Sequence, residues 1–299
     1  MAAPPSPSPT YTPLYATLPL TPQLPPARFS GTAPINNISL FYTLHGAPLP
    51  PLNSKPNPNH LPILLLHGGK ISSRWYAHQI THLTRTHPHR PIIALDTRAH
   101  GRSTDDLSVP LSYTLFASDA AALLSHLGVS RVAIIGWSDG ANTALQMAMS
   151  HASFVDRIFA FGANYQPDQL NVTGLLGMPF LGDLAGRMKS EYEELSPTPE
   201  GYDTFASRME VMQGALPAWG AADFAGIKTL YQEPRTAPIV WVVDGAEEEI
   251  VMRRVPGEIR DMIWGSSLVL LPDVGHFAPL QDPGTFNALL DQWLARKRA

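Results

Sequence analysis

Residues 132–141 are Val-Ala-Ile-Ile-Gly-Trp-Ser-Asp-Gly-Ala, an apolar run followed by a serine between two glycines. The run from Val132 to Ile135 is short and continuous, which is typical of a strand buried on both faces. Glycines two residues before and two after Ser138 let the chain turn sharply into a helix predicted at about 139–150. Such a turn pushes the hydroxyl into a cleft faced by helix-terminal amides. The stretch therefore predicts an α/β sheet with Ser138 as a nucleophile at its edge.

Short apolar runs recur along the chain, separated by segments of helical length. Strands are predicted at Ile38 to Leu44, Ile63 to Leu66, Ile92 to Leu95, Val132 to Ile135, Ile158 to Phe161, Ile239 to Val243 and Leu268 to Leu271. Helices are predicted at about 73–87, 113–127, 139–150, 250–263 and 283–297. Continuous apolar strands that alternate with helices indicate a doubly wound, mostly parallel sheet covered on both faces.

Two segments do not follow this alternation. Residues 1–29 are rich in proline and carry no charge before Arg28, so we expect extended geometry and no packed element there. Residues 163–235 combine helical patterns, Gly and Pro punctuation and four methionines without a convincing strand, which predicts an inserted helical cap. The α/β core is then predicted to comprise residues 30–162 and 236–299.

The composition excludes several function classes. With 44% hydrophobic and 15% charged residues and a net charge of -4, the chain has no basic footprint for nucleic acid or an anionic membrane. No apolar run reaches the roughly 18 residues of a membrane-spanning helix. The absence of cysteine excludes thiol catalysis and thiolate metal sites. The first residues lack a secretory signal pattern, so we expect a cytoplasmic protein that acts on a small molecule.

Ligands of open parallel sheets bind beyond the carboxyl ends of the strands, and a second informative turn lies there. His67-Gly68-Gly69-Lys70 follows an apolar strand. The amide of Gly69, or less favourably that of Lys70, can join the amide of Asp139 in an oxyanion hole. His67 itself is more typical of a structural histidine that packs under the turn and bonds to backbone.

Two further turns supply a base and an acid. Asp273-Val274-Gly275-His276-Phe277 precedes the last helix and places His276 at the sheet edge, where it can act as a general base. Asp244-Gly245-Ala246-Glu247-Glu248-Glu249 follows another strand and offers a carboxylate to orient that histidine. Most of these acids are equally typical of a solvated helix N-terminus.

With the turns in the order serine, acid, histidine, the chain resembles the α/β-hydrolase superfamily over about residues 35–299. The resemblance rests on His67-Gly68-Gly69, the turn from Asp96 to Ser103, the Gly136 to Gly140 elbow and Gly275-His276. It implies an eight-stranded, mostly parallel sheet with a cap inserted between its sixth and seventh strands. It also implies a Ser-acid-His triad that needs neither cofactor nor metal.

The chain departs from the family pattern at two positions. Ala99 stands where a glycine is usual in the Arg-Gly-His-Gly turn. Glu248 stands where an aspartate is usual, three residues after Gly245, so the resemblance implies Glu248 as the triad acid. Asp244 and Asp168 are kept as alternatives for that role.

A metal site is a weaker interpretation of the histidines. His78 and His82 are four residues apart on a predicted helix, with His87 and His89 nearby. No His-Glu-x-x-His motif or acidic partner accompanies them in the sequence, so we expect a solvated helix face and no metal.

Several functions stay open within the resemblance. A serine at the elbow disfavours haloalkane dehalogenase and epoxide hydrolase chemistry, which uses an aspartate nucleophile. Ester or lactone hydrolysis leads, hydrolytic cleavage of a carbon-carbon bond in a diketone-like compound is the alternative, and a non-catalytic binding protein comes last. Trp75, Trp137 and Phe277 adjoin the site turns and, with the cap methionines, predict a small to medium apolar or aromatic substrate.

Overall fold

The computed structural model describes residues 12–51, 57, 60–228, 232–233 and 236–297. Its strands are β1 (Phe29–Ile35), β2 (Ile38–Gly46), β3 (Ile63–Leu66), β4 (Pro91–Leu95), β5 (Val132–Trp137), β6 (Val155–Phe161), β7 (Ile239–Gly245) and β8 (Ser267–Leu271). They form one sheet in the order β1-β2-β4-β3-β5-β6-β7-β8. β2 runs antiparallel to both of its neighbours, and the other neighbouring pairs are parallel. The predicted α/β fold with a mostly parallel eight-stranded sheet is confirmed.

Helices cover both faces of this sheet. They are α1 (Ala77–Thr86), α2 (Tyr113–His126), α3 (Asp139–Ser150), α4 (Val172–Gly177), α5 (Leu181–Leu195), α6 (Tyr202–Ala215), α7 (Ala221–Phe224), α8 (Val255–Met262), α9 (Ala278–Gln281) and α10 (Pro283–Ala295). Leu64 and Leu66 of β3 pack with α2 and α3 on one face, whereas Ile63 and Leu65 pack with α1 and α10 on the other. Because successive strand residues point to opposite faces, a strand between two helical layers must be apolar throughout.

The first strand, β1, was not predicted from the sequence. β1 contains Gly31 and Pro34, which weaken a strand pattern because proline donates no ladder hydrogen bond. The strand forms at the edge of the sheet, where it has a partner on one side only, and Pro34 is tolerated there. The other seven strands lie where the apolar runs predicted them.

The segment between β6 and β7 is helical, and among its described residues there is no strand. Helices α4 to α7 lie within residues 163–228, and Leu170 forms an isolated bridge with Val251. The helix after β7 begins at Val255, five residues later than predicted, because the amides of residues 250 and 251 bond to a glutamate side chain first. Leu181 and Leu184 of this helical layer line the same cavity as Ser138, which directly follows β5, so the layer lies over the carboxyl end of that strand.

The expectation that no packed element begins in the proline-rich segment is wrong for its described part. Leu14–Ala16 is a short 3-10 helix, and three leucines of the segment pack on the core: Leu14, Leu18 and Leu24. The Arg187 guanidinium donates to the carbonyl of Pro19 at 3.0 Å. Proline lacks a donor but keeps its carbonyl, so side chains from the fold can hold such a segment in place. No helix in the described part of the chain is long and apolar enough to cross a membrane.

Candidate active site

Ser138 lies on a sharp turn between β5 and α3. Its backbone has φ 56° and ψ -121°, which is outside the regions that side chains normally favour. Both flanking glycines are required by close packing: a Cβ on Gly136 would lie 2.6 Å from the Cα of Ala141, and one on Gly140 would lie 2.7 Å from the carbonyl oxygen of His67. The turn is thus a strained elbow that only this glycine pattern allows.

A cavity of about 440 Å³ opens between this edge of the sheet and the helices of residues 163–228. Ser138 and His276 both line it, although they are far apart in sequence. The helical layer contributes mainly apolar side chains, among them Leu181, Leu184 and Met188. A small organic molecule in this cavity would contact the serine and the histidine together.

Three side chains hold His276 in place by hydrogen bonds. Its Nδ1 lies 2.9 Å from Oε1 of Glu248, and both residues are buried, at 3% and 2% exposure. The Trp137 indole N–H donates to the His276 carbonyl at 2.8 Å, and the His276 amide donates to Oε2 of Glu249 at 2.9 Å. With Nδ1 engaged by Glu248, Nε2 is the ring nitrogen left for the cavity.

The His276–Glu248 pair changes the pKa of both partners. Burial alone would lower the pKa of His276, but the negative charge and hydrogen bond of Glu248 outweigh it and raise that pKa above its ordinary value. Burial alone would raise the pKa of Glu248, but His276 and the amide donors nearby hold it below its ordinary value. The pair is therefore poised as a carboxylate that stabilises a histidinium.

None of the other candidate acids, all of which lie in the described part of the chain, forms a hydrogen bond with the His276 ring. Glu247 is half-buried and pairs with Arg253 at 2.6 Å. Burial, with the charge of Glu248, raises the pKa of Glu249 to about 7, and its carboxylate contacts the backbone of the histidine turn. Asp168 is exposed. Asp244 is buried against Glu248, and its Oδ1 accepts from the Gly245 amide.

The side chain of Asp139, directly after the serine, accepts two hydrogen bonds that the sequence did not indicate. As the first residue of α3 its amide has no acceptor within the helix, so it is free to face the cavity. Its carboxylate accepts from the Tyr113 hydroxyl at 2.7 Å and from Gln213 Nε2 at 2.8 Å. Gly69 lies beside this carboxylate, with no room for a Cβ. The contact to Gln213, a residue of α6, was not detectable from local sequence.

Residues 63–289 match the model of the alpha/beta hydrolase family. The chain belongs to this family. Over 206 residues it is 28% identical to the serine hydrolase BPHL of Homo sapiens, an alignment that covers 68% of this chain and 69% of the human protein. The resemblance inferred from the motifs is confirmed, and so is the prediction of a hydrolytic enzyme.

Solved structures share the fold of this hydrolase. The meta-cleavage product hydrolase CumD from Pseudomonas fluorescens IP01 matches with a TM-score of 0.67 and 16% identity, covering 89% of this chain and 97% of that one. The enol-lactonase from Burkholderia xenovorans LB400 matches with a TM-score of 0.64 and 18% identity, covering 89% of this chain and all of the lactonase.

The three aromatic residues predicted to bind substrate are not equivalent in this hydrolase. Trp137 and Phe277 line the cavity. Trp75 does not line this cavity: its ring packs behind them, with centroid distances of 6.1 Å and 6.2 Å, and its indole donates to Glu191. The Arg187 guanidinium covers its other side. Trp75 therefore supports the cavity wall from behind.

Of the four methionines in residues 163–235 that were predicted to contact substrate, one lines the cavity. Met188 lines the cavity, whereas Met178, Met209 and Met212 are buried in the core. Helical periodicity does not tell which face of an inserted helix meets the sheet, so the sequence could not separate them.

His67 holds its turn as a structural histidine would. Its Nδ1 lies 2.7 Å from the Gly68 carbonyl, and its Nε2 accepts from the Thr97 amide at 3.0 Å. Burial lowers the pKa of His67, so the ring is neutral. Ala99, the departure in the neighbouring turn, has φ 68°, the left-handed geometry that favours glycine.

Contrary to the expectation from the sequence, His82 of α1 and His87, which directly follows that helix, have an acidic partner. His82 and His87 both contact the Asp291 carboxylate, at 2.9 Å and 2.8 Å. Asp291 lies on α10, over 200 residues away in the chain, so no local motif could reveal it. Within the described ranges, no cluster of histidine and acidic side chains has the geometry to hold a metal ion.

Proposed function

We propose that this protein is a serine hydrolase that cleaves a carboxylic ester or lactone through an acyl-enzyme, with no cofactor. Ser138 is the nucleophile, His276 the general base and Glu248 the acid that orients it. The amides of Gly69 and Asp139 form the oxyanion hole. The observation that carries the proposal is the 2.9 Å bond from His276 Nδ1 to Glu248, on the wall of the cavity that Ser138 also lines.

The reaction follows from this arrangement. Ser138 Oγ attacks the acyl carbon while its proton passes to His276 Nε2, and Glu248 stabilises the histidinium that forms. The carbonyl oxygen becomes an oxyanion, which the two amides stabilise by hydrogen bonds. Collapse of this intermediate expels the alkoxide, which takes the proton from His276 and leaves the acyl group on Ser138. Water then repeats the sequence and releases the acid.

The helices over the site define the substrate class. In this proposal, residues 163–235 are a cap on the core of residues 30–162 and 236–299. Leucine side chains of the cap, with Trp137 and Phe277 below, make the cavity mainly apolar. Lys70 at its rim is paired with Glu210 at 3.0 Å. Such a site favours an uncharged apolar or aromatic acyl compound of small to medium size.

The test is a panel of p-nitrophenyl esters, lactones and diketones, assayed on the wild type and on Ser138→Ala. We expect ester or lactone turnover, and a loss of about 10³-fold or more in Ser138→Ala with the fold retained. Ser150→Ala, which changes an exposed serine at the end of α3, is the matched control. Turnover of diketones alone would favour carbon-carbon cleavage instead.

Covalent labelling separates an enzyme from a binding protein. A fluorophosphonate probe should label Ser138 in the wild type and leave Ser138→Ala unlabelled, because the probe reports an activated serine. Treatment with EDTA should leave turnover unchanged. An unlabelled wild type with no turnover on any ester would overturn the proposal.

A further inference from the structure

Two buried carboxyl groups lie against each other behind His276. Asp244 ends β7 and is 1% exposed, and Glu248 is 2% exposed. Their side chains are within hydrogen-bonding contact. Two ionised carboxylates buried at this range repel each other strongly, so the pair must share a proton or carry a high energetic cost.

The hydrogen-bond donors around the pair engage one oxygen of each carboxyl group and leave the other without a donor. Oε1 of Glu248 accepts from His276 Nδ1 and from the amides of Ile250 and Val251, at 2.8 to 2.9 Å. Oδ1 of Asp244 accepts from the Gly245 amide at 2.9 Å. The remaining oxygens, Oε2 of Glu248 and Oδ2 of Asp244, are fully buried and have no protein donor. One proton between these two oxygens satisfies both.

We propose that Asp244 is a protonated carboxylic acid that donates a hydrogen bond to Glu248 and thereby positions the triad acid. The proposal rests on the function proposed above. This role differs from that of the triad acid, since Asp244 contacts Glu248 and not His276. Asp244 is a positioning residue, and Glu248 remains the group that contacts His276.

The surroundings decide which carboxyl keeps the proton. Glu248 has three donors, including a histidine that becomes cationic, and these favour its ionised form. Asp244 has one amide donor and the negative charges of Glu248 and Glu249 nearby. Burial and these charges raise the pKa of Asp244 well above its ordinary value, whereas the pKa of Glu248 is lowered.

The glutamate at the acid position explains why such a donor is needed. Glu248 has one more methylene and one more free torsion than the aspartate that is usual there, so its carboxylate is harder to hold in one place. The His276 contact and two amides restrain one oxygen only. A donor from Asp244 to the second oxygen restrains the rotation of the whole carboxylate and fixes the imidazole it holds.

Two substitutions at residue 244 separate a donor from a space-filling side chain. Asp244→Asn keeps an N–H that can donate to Glu248, so we expect kcat/KM to fall by no more than about 3-fold. Asp244→Leu removes the donor, and a hydrogen bond to a charged group corresponds to about 10- to 100-fold, so we expect kcat to fall by this factor with KM unchanged. Glu247→Gln, on the same turn but paired with Arg253, is the matched control.

A proton NMR measurement provides a readout that a merely structural role would not move. The downfield Nδ1 proton of His276 reports its bond to Glu248. We expect its resonance to be retained in Asp244→Asn and shifted or broadened in Asp244→Leu. Equal kinetics and equal spectra for the two variants would overturn the proposal.

Infrared difference spectroscopy tests the proton itself. The spectrum of the wild type minus that of Asp244→Asn at neutral pH should contain a carboxylic acid C=O stretch that moves to lower frequency in D2O. A carboxylate band in its place would show that Asp244 is ionised and would overturn the proposal. If Asp244→Leu does not fold, this infrared measurement is sufficient to test the proposal.

The same variants and measurements distinguish a failure of this proposal from a failure of the proposed function. If Asp244→Asn reduces turnover as severely as Ser138→Ala while Glu248→Gln does not, Asp244 is the triad acid and both proposals at this turn are wrong. If Ser138→Ala keeps wild-type turnover, the hydrolase proposal fails. The infrared band would then still report a protonated Asp244.

Discussion

Two turns at the same edge of the sheet hold the two ends of the proposed triad, and they are built differently. The turn after β5 holds Ser138 through its backbone: the serine has φ 56°, and a Cβ at either flanking glycine would overlap neighbouring backbone atoms. The turn after β7 holds Glu248 through side-chain contacts, with His276 on a distant turn and Asp244 behind it. A backbone requirement is visible in a local motif, whereas a contact network is not.

Because the two turns are built differently, substitutions in them should have different effects. Substitutions of the glycines in the serine turn should cause steric overlap and reduce stability, since their neighbours are backbone atoms that cannot move aside. The acid turn should keep its fold and lose its chemistry, because its neighbours are polar groups with alternative partners. The variants below test this distinction.

The largest effect is expected at the acid turn. Glu248→Gln keeps the shape of the side chain but favours the wrong histidine tautomer, so kcat should fall by as much as about 10⁴-fold while thermal unfolding changes little. Glu247→Gln changes a half-buried side chain in the same turn that pairs with Arg253, so it should leave kcat unchanged. A Glu248→Gln variant with near wild-type kcat would remove Glu248 from the triad.

At the serine turn the expected loss is in stability. Gly140→Ala places a methyl group against the backbone of Leu66 and His67, so the free energy of unfolding should fall by about 3 kcal/mol. Gly186→Ala is the control, because this exposed glycine of α5 has open space around it and should gain about 0.5 to 1 kcal/mol. Chemical denaturation measures both. Equal stabilities would show that the elbow is not sterically determined.

The pH dependence links the two turns. The proposed general base must be neutral to accept a proton, so kcat/KM should rise with pH through the pKa of His276, which Glu248 raises above the ordinary histidine value. In Glu248→Gln the raising charge is lost and the effect of burial remains, so the midpoint should move to lower pH. A profile of kcat/KM against pH, recorded with a substrate that does not titrate, measures this shift. An unchanged midpoint would contradict the charge coupling.

The smallest effect is expected at Ala99, whose φ of 68° is unfavourable for a residue with a side chain. Ala99→Gly relieves a left-handed cost of about 1 to 2 kcal/mol but adds unfolded-chain entropy, so the net gain should be about 1 kcal/mol or less. Ala122→Gly, within α2, should instead lose about 1 kcal/mol. A destabilised Ala99→Gly would show that the buried methyl matters more than the backbone.

Features encoded in contiguous residues could be predicted. The elbow at Ser138, seven of the eight strands and the order of the turns follow from apolar runs and glycine spacing, which act over a few residues. The edge strand Phe29–Ile35 was missed because its proline and glycine weaken the pattern, and its pairing with β2 supplies the compensation.

Other features depend on residues that meet only after folding. The contact of Glu248 with His276, the Gln213 bond to Asp139 and the position of Trp75 behind the cavity wall join segments remote in sequence. The turn after β7 carries four acids in six residues, and the family spacing after Gly245 implied Glu248, but the local sequence does not show which of the four is buried against the histidine. The sequence by itself determined the sheet and the serine turn through apolar patterning and backbone sterics, whereas only the tertiary structure decided which carboxylate reaches the histidine, because the burial of Glu248 and its His276 partner come from distant parts of the chain.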